Sequence, residues 1–225
     1  MVWEVLVSNK HSVMYVALQD KKISAMKASV LWEQFLGIFV HDHETALYHF
    51  GTEHGECNVH LERYLMKNSE ESHNVWSNDM IQFLGSINKA KRKLMSEGKE
   101  CFTSKQLASY SQRYNEILQC GYEQNKKTTG KYAKAEEKKL LNRLKKYKKN
   151  HLLFAYKFEV DYSNNMSERD LRKCKNRQKM AGGFRTLAGR EMFCNILSVI
   201  ETLKRRKMNI MENIMRIFQK DPAIF

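Results

Sequence analysis

The sequence predicts a mixed α/β protein in which a large all-α block interrupts the α/β portion and helices complete the chain. Short apolar runs rich in β-branched residues fill the first 60 residues, helical spacing of apolar residues follows to about residue 150, and helical spacing returns over the last 40 residues. This order favours an insertion within one domain, although two consecutive domains would give a similar pattern. The predicted boundaries are 1–60 for the first part of the core, 61–150 for the helical insertion, and 151–225 for the second part with the C-terminal helices.

The first 60 residues contain the predicted strands. Residues 2–7 and 13–18 are separated by a turn-like Ser-Asn-Lys sequence and predict a hairpin. A helix is predicted over 24–35, and a buried strand over 38–40 follows it. Asp42 comes directly after that strand, and strand ends are a common place for active-site groups in α/β proteins, although polar residues also simply terminate strands.

The rest of the chain is predicted to be largely helical. Apolar residues recur at spacings of three, four and seven from about residue 61 to residue 150. A mixed apolar run over 151–160 lacks helical caps and is interpreted as another strand. Glu168 follows Asn165 by three residues, so this pair fits a capping box at a helix start. Two helices are predicted in the last 40 residues.

The net charge of +14 is concentrated in two short segments. Residues 126–149 carry +9 and residues 169–190 carry +7, whereas all other residues together carry −2. Such segments are typical of surfaces that bind a polyanion such as DNA, although a lysine-rich helix face is also common as plain solvated surface. The candidate DNA-binding residues are Lys145, Lys146, Lys148, Lys149, Arg169, Arg172, Lys175, Lys179 and Arg185.

Cysteine usage and hydropathy favour a cytoplasmic protein with reduced thiols. The five cysteines are odd in number and scattered, so no disulfides are expected. No apolar stretch approaches the roughly 20 residues that span a bilayer, and the N-terminus lacks the basic region of a signal peptide. The sequence contains no phosphate-binding Walker loop, dinucleotide fingerprint or serine-hydrolase elbow, which leaves those enzyme classes without support.

Cys57 and His60 form a Cys-x-x-His pair with four histidines close upstream, at positions 41, 43, 49 and 54. Cysteine and histidine are the usual ligands of structural zinc, so a zinc site is one interpretation. A second pair at the separation of a zinc finger is missing from the sequence. We therefore favour a packed and hydrogen-bonded cluster over zinc.

Several motifs together resemble the insertion sequence 66 family of bacterial transposases. The longest is Asn164-Asn165-Met166-Ser167-Glu168-Arg169-Asp170-Leu171-Arg172, which continues as Gln178-Lys179-Met180-Ala181-Gly182-Gly183-Phe184-Arg185. Val40-His41-Asp42-His43 is similar to the family segment that holds the second catalytic aspartate, and Cys57-Asn58-Val59-His60 is similar to the family's Cys-Asn-x-His motif. Asn209-Ile210-Met211-Glu212 resembles the closing helix, so the likeness spans nearly the whole chain.

The resemblance implies a ribonuclease-H-like core interrupted by the helical insertion. It makes Glu168 the last member of an Asp-Asp-Glu triad and Asp42 the second, with both as ligands of two Mg²⁺ or Mn²⁺ ions. Asn164, Asn165, Cys57 and His60 become structural motif residues. No residue matches the first aspartate, so the chain is expected to lack the N-terminal part of the catalytic domain, to bind metal weakly and to have little or no activity alone.

The function implied is that of a truncated DNA transposase catalytic domain that cleaves and joins phosphodiesters. Its expected partners are the element ends and target DNA, with a homo-oligomer on the DNA, no small-molecule substrate, no membrane and a location at the nucleoid. Two alternatives stay open on the sequence. One is an inactive remnant that only binds DNA non-specifically, and the other is a small zinc-stabilised DNA-binding protein.

Overall fold

The computed structural model describes residues 3–20, 22–28, 32 and 34–219. The chain divides into two compact units. We call the segment Gln34–Asn164 the central unit, and the unit built from the two ends of the chain, up to residue 33 and from residue 165 onward, the terminal unit. Over these described residues the protein is mixed α/β, 67% helical with two small sheets, so the predicted α/β class with a large all-α portion is confirmed.

The described elements are numbered here in chain order. They are β1 (Trp3–Ser8), β2 (Val13–Leu18), α1 (Ile23–Lys27), β3 (Ile38–His41), a 3₁₀ helix (Thr45–His49), β4 (Glu53–Glu56), α2 (Asn58–Ser72), α3 (Trp76–Ser96), α4 (Ser104–Lys127), α5 (Lys131–Lys146), α6 (Lys148–Tyr156), α7 (Asn165–Met180), α8 (Leu187–Arg205) and α9 (Ile210–Phe218).

The predicted N-terminal hairpin is confirmed. β1 and β2 pair antiparallel from Trp3 opposite Leu18 to Ser8 opposite Val13. The turn forms because the Asn9 side chain accepts hydrogen bonds from the backbone amides of His11 and Ser12, both at 2.8 Å. Of the helix predicted over 24–35, α1 covers the first part, and residues 29–31 and 33 lie outside the described residues.

In the terminal unit the hairpin packs against α8. Val13, Tyr15, Cys174 and Cys194 form its buried cluster. The backbone of β2 is partnered by helix side chains, since the Val13 amide donates to Thr202 Oγ1 at 3.2 Å and that hydroxyl donates to the Val13 carbonyl at 3.1 Å. Side chains of α8 thus satisfy the backbone of β2, which would otherwise expose unpaired strand groups.

The central unit begins with a parallel strand pair. β3 and β4 run from Ile38 opposite Glu53 to His41 opposite Glu56, which places the carboxyl ends of both strands at one edge. The predicted strand over 38–40 is therefore confirmed. Helices α2 to α6 follow and bury one continuous apolar core, so the predicted helical block over 61–150 is confirmed as well.

Two local features hold the helical block together. Gly121 of α4 lies so close to α5 and α3 that an added Cβ would be 2.6 Å from Leu141 Cδ2 and 2.9 Å from Trp76 Cδ2. Only glycine fits this approach. Glu137 of α5 is fully buried and accepts from four side chains at 2.5–2.8 Å, those of Asn74, Trp76, Asn125 and Thr128.

Two local predictions about the second half were wrong. Residues 151–156 belong to helix α6 rather than to a strand. The consecutive residues from His151 to Ala155 are all buried, so the run has no polar face and gives no helical periodicity in the sequence. Helix α7 begins at Asn165, which places Asn165 inside the first turn and not at the N-cap of a capping box with Glu168.

Candidate active site

Asp42 lies at the carboxyl edge of the parallel strand pair, and its side chain is exposed. It directly follows β3, whose last carbonyl, that of His41, accepts a hydrogen bond from the Cys57 amide at 2.8 Å. His43, on the other side of Asp42, has a left-handed backbone with φ of 68°. The carboxyl edge of parallel strands is where α/β proteins usually bind ligands, so this position suits a reacting group.

A buried carboxylate, Glu56, lies at the end of the neighbouring strand β4. Its Oε1 accepts from His43 Nδ1 at 2.6 Å and from the Tyr48 hydroxyl at 2.5 Å, and its Oε2 accepts from Arg143 Nη2 at 2.9 Å. Burial opposes ionisation, but the hydrogen bonds from His43 and Tyr48 outweigh it and lower the pKa of Glu56 to about 2. Glu56 is therefore an ionised internal anchor.

Two histidines of this region, His41 and His151, are buried, and burial lowers the pKa of each. His41 Nε2 lies 3.2 Å from His54 Nδ1, and burial lowers the pKa of His41 to about 4. His151 of α6 is fully buried, and burial lowers its pKa to about 3. Neither ring nitrogen of His151 has a hydrogen-bond partner among the described residues. Arg143 forms an ion pair with Glu56 in this cluster, with 2.9 Å between Nη2 and Oε2.

Cys57 and His60 contact each other at the start of α2. Cys57 Sγ lies 3.3 Å from His60 Nδ1 and 3.4 Å from the Asn164 amide nitrogen. The Asn58 amide donates to the Tyr162 carbonyl at 3.0 Å, so the segment before α7 is held against the start of α2. The favoured interpretation of a hydrogen-bonded pair fits these contacts, and the pair joins two motifs that are far apart in the sequence.

Glu168 lies in the first turn of α7, in the terminal unit, and is partly buried. Arg172, Lys175 and Lys179 follow it at intervals of four, three and four residues, which places all four side chains along one face of the helix. The three basic residues are exposed, and the opposite face buries Asp170 and Cys174. We call Arg172, Lys175 and Lys179 the α7 basic stripe.

The other predicted residues of the second basic segment are also at the surface. Arg169 is exposed on α7, and Arg185 is exposed in the segment that precedes α8. Asn165, the first residue of α7, is exposed, whereas Asn164 is the last residue of the central unit. The Asn-Asn motif therefore lies where the chain passes from one unit to the other.

The predicted DNA-binding lysines of the first basic segment are of two kinds, those that are exposed and one whose ammonium group is hydrogen-bonded within the fold. Lys145, Lys146 and Lys149 are exposed. Lys148 differs, because its ammonium donates to Ser111 Oγ at 2.7 Å and Asn115 Oδ1 at 2.8 Å, and burial lowers its pKa. Lysines at helical spacing extend the exposed face toward the start of α5. We call the exposed set the α5 lysine face; it comprises Lys131, Lys138, Lys145 and Lys146 of α5 together with Lys149 at the start of α6.

A metal site is not assembled within the described residues. No group of three or more His, Cys, Asp or Glu side chains in that part of the chain is arranged to hold an ion. Asp42 belongs to the central unit and Glu168 to the terminal unit, so their predicted convergence stays a prediction. The two carboxylates are hard oxygen donors of the kind Mg²⁺ and Mn²⁺ prefer, but by themselves they do not complete a ligand set.

Sequence reasoning missed the cluster around Glu56. Its members come from β4, the 3₁₀ helix and α5, and they meet only in the fold. Glu56 ends β4, a strand that the sequence did not predict, and the parallel pairing with β3 sets it opposite His41. The lysines at the start of α5 were also missed, although helical spacing relates them to Lys145.

No helix in the described part of the chain is long and apolar enough to cross a membrane. Comparison with curated proteins gave no match, and comparison with solved structures gave none either. A family model described as the transposase IS66 family matches residues 1–192 of the 225-residue chain. This range includes Asp42, Glu168 and the α7 basic stripe, and it confirms the family resemblance seen in the motifs. The Asn209–Glu212 motif lies outside the matched range. The chain therefore belongs to the IS66 family of transposases.

Proposed function

We propose that this protein is the catalytic part of a DNA transposase and that Asp42 and Glu168 are its reacting carboxylates. The family match over residues 1–192 carries the proposal. It is supported by the position of Asp42 at the carboxyl edge of β3 and β4 and by the position of Glu168 in the first turn of α7. A ribonuclease-H-like core is part of this proposal.

The DNA backbone is proposed to follow the α7 basic stripe toward Glu168. The stripe lies on the same helix face as Glu168, and each lysine or arginine that neutralises a phosphate releases condensed counterions. Phosphate contacts position the duplex without reading its sequence. The α5 lysine face is the second proposed contact surface. Target and element-end DNA are the proposed partners, and a homo-oligomer assembled on DNA at the nucleoid is proposed with them.

The proposed reaction consists of two displacements at phosphorus. In the first, the oxygen of a water attacks the phosphodiester and the bond to the 3′ oxygen breaks, which leaves a 3′ hydroxyl and a 5′ phosphate. In the second, that 3′ hydroxyl attacks a target phosphodiester and displaces another 3′ oxygen. Bound Mg²⁺ or Mn²⁺ would supply Lewis-acid polarisation of the phosphate oxygens. Asp42 and Glu168 contribute negative oxygen donors.

Glu168→Gln tests the catalytic role of the Glu168 carboxylate. Cleavage of DNA that carries the ends flanking this gene is measured with Mg²⁺ or Mn²⁺, using the chain alone and the chain fused behind a family segment that carries the first aspartate. Glu168→Gln should abolish cleavage, because the amide keeps the size of the side chain and loses its charge. Folding stability should change by no more than about 1 kcal/mol, a typical contribution at a helix start.

Glu212→Gln is the matched control, since Glu212 is an exposed first-turn glutamate of α9 in the same unit. It should cleave like the wild type. Cleavage that survives Glu168→Gln would contradict the assigned role. DNA binding without cleavage in any form would leave the chain as a DNA-binding remnant and would refute the catalytic proposal.

A further inference from the structure

Glu56 fixes the two ends of the segment that follows Asp42. His43, the next residue after Asp42, and Tyr48 of the 3₁₀ helix both donate to the same oxygen of Glu56, at 2.6 and 2.5 Å. The other oxygen is engaged by Arg143 of α5 at 2.9 Å. The side chain of Glu56 is fully buried, so it is placed to hold other residues and not to meet DNA.

The backbone next to Asp42 adopts a conformation that surrounding contacts must stabilise. A left-handed conformation with φ of 68° at His43 is uncommon for a residue with a side chain, and it persists where the surroundings fix it. On the other side of Asp42, the His41 carbonyl is fixed by the Cys57 amide at 2.8 Å. Asp42 is therefore an exposed residue held between two fixed neighbours.

We propose that Glu56 is a positioning residue that sets the direction of the Asp42 carboxylate by holding His43 in its left-handed conformation. This inference rests on the proposed function, because it assumes that Asp42 acts on DNA. Glu56 touches neither the substrate nor the reacting atoms in this scheme. It acts through His43, with Tyr48 and Arg143 keeping its own carboxylate in place.

Glu56→Gln is the direct test, and Glu53→Gln on the same strand is its control. A glutamine at position 56 presents an NH₂ group either to Arg143, which is also a donor, or to His43 and Tyr48. Glu53 pairs with Lys157 at 2.5 Å at the other end of β4, and its side chain is 42% exposed. His43→Gly is the second variant. It removes the contact with Glu56, tolerates the left-handed backbone and leaves the Glu56 to Arg143 pair intact.

Two measurements separate positioning from a structural role. In the cleavage assay, Glu56→Gln and His43→Gly should lower kcat by about 100-fold, the loss expected for a displacement of about 1 Å, with KM for DNA within about twofold of wild type. In ¹H–¹⁵N NMR spectra, the amide signals of Asp42 and His43 should shift in Glu56→Gln, which changes neither residue, while the signals of the core helices stay in place. Glu53→Gln should resemble wild type in both measurements.

The spectra are recorded without DNA, so they report on Glu56 even if the wild type cleaves nothing. A wild type that is inactive both alone and in the fused form, but whose Asp42 signal moves in Glu56→Gln, would refute the proposed function and support the positioning role. An active wild type, with kcat unchanged in both variants and the Asp42 signal unmoved in Glu56→Gln, would overturn the positioning role and leave the function standing.

Discussion

Replacement of Glu137 by glutamine should destabilise the central unit by about 2 to 5 kcal/mol. Oε1 accepts from Asn74 and from the Trp76 indole, each at 2.7 Å, and Oε2 accepts from Asn125 at 2.8 Å and Thr128 at 2.5 Å. Glutamine keeps only one acceptor oxygen. Because the Thr128 hydroxyl can rotate and accept, the best orientation leaves one N–H of Asn125 without its acceptor, which costs about 1 to 3 kcal/mol. The bond from Asn125 Nδ2 to the Lys134 carbonyl, at 2.9 Å, is kept.

The rest of the expected loss comes from the charge. Hydrogen bonds to a charged group contribute about 1.5 to 3 kcal/mol, against roughly 1 kcal/mol for neutral pairs, so the retained bonds also weaken. Urea unfolding followed by far-UV circular dichroism measures the change. Glu136→Gln is the control, because Glu136 is the preceding residue, pairs with Lys139 at 2.6 Å and has a side chain that is 40% exposed. It should cost less than about 1 kcal/mol.

The same carboxylate predicts a pH dependence. Burial opposes ionisation of Glu137, but the hydrogen bonds from Asn125, Thr128, Trp76 and Asn74 outweigh it and hold its pKa below the ordinary value. A carboxyl whose folded pKa is lowered stabilises the protein above its unfolded pKa, about 4.3, and loses that contribution as the pH falls through the folded value. The difference between wild type and Glu137→Gln should therefore shrink below about pH 4. A glutamine variant within 1 kcal/mol of wild type at neutral pH would refute this reasoning.

Two further predictions concern DNA binding and helix packing. Alanine at the three most C-terminal positions of the α5 lysine face should flatten the slope of log affinity against log salt by up to about 0.9 for each phosphate that is no longer neutralised, whereas Lys148→Ala should leave the slope unchanged and lower the unfolding free energy. Equal slopes of log affinity against log salt for wild type and all variants would show that the α5 lysine face is solvated surface and does not contact DNA. Gly121→Ala should destabilise the fold by about 1 to 3 kcal/mol, and Gly85→Ala, with no atom within 4 Å of the added Cβ, should raise thermal stability by about 0.5 to 1 kcal/mol. Equal melting temperatures for the two alanine variants would contradict the packing argument.

The sequence predicted the elements whose patterns are local. The hairpin and the strand before Asp42 appear as short apolar runs in the sequence, and the helical block appears as a period of about 3.6 in consecutive residues. The family could also be identified from the sequence, and the two candidate carboxylates could be named, because the motifs that carry them are contiguous. Helix α6 could not be predicted, because a helical run that is buried on all sides shows no alternation of apolar and polar residues.

The contacts around the candidate site could not be read from the sequence. Glu56 meets Arg143 across 87 residues, and nothing in either segment indicates the other. Lys148 carries the same charge as its neighbours, so composition assigns it to the basic surface, while its hydrogen bonds to α4 assign it to packing. Partners that are far apart in sequence appear only once the helices are placed.

The construction of the terminal unit from both ends of the chain has a consequence for synthesis on the ribosome. Val13 finds its partner Thr202 only 189 residues later. At roughly 5 to 20 residues per second, the hairpin emerges on the order of ten seconds or more before α8 exists. The contiguous central unit is complete earlier and can fold during that interval. The nascent hairpin, with an apolar face and an unpaired edge, is the segment that a chaperone has reason to hold until translation ends.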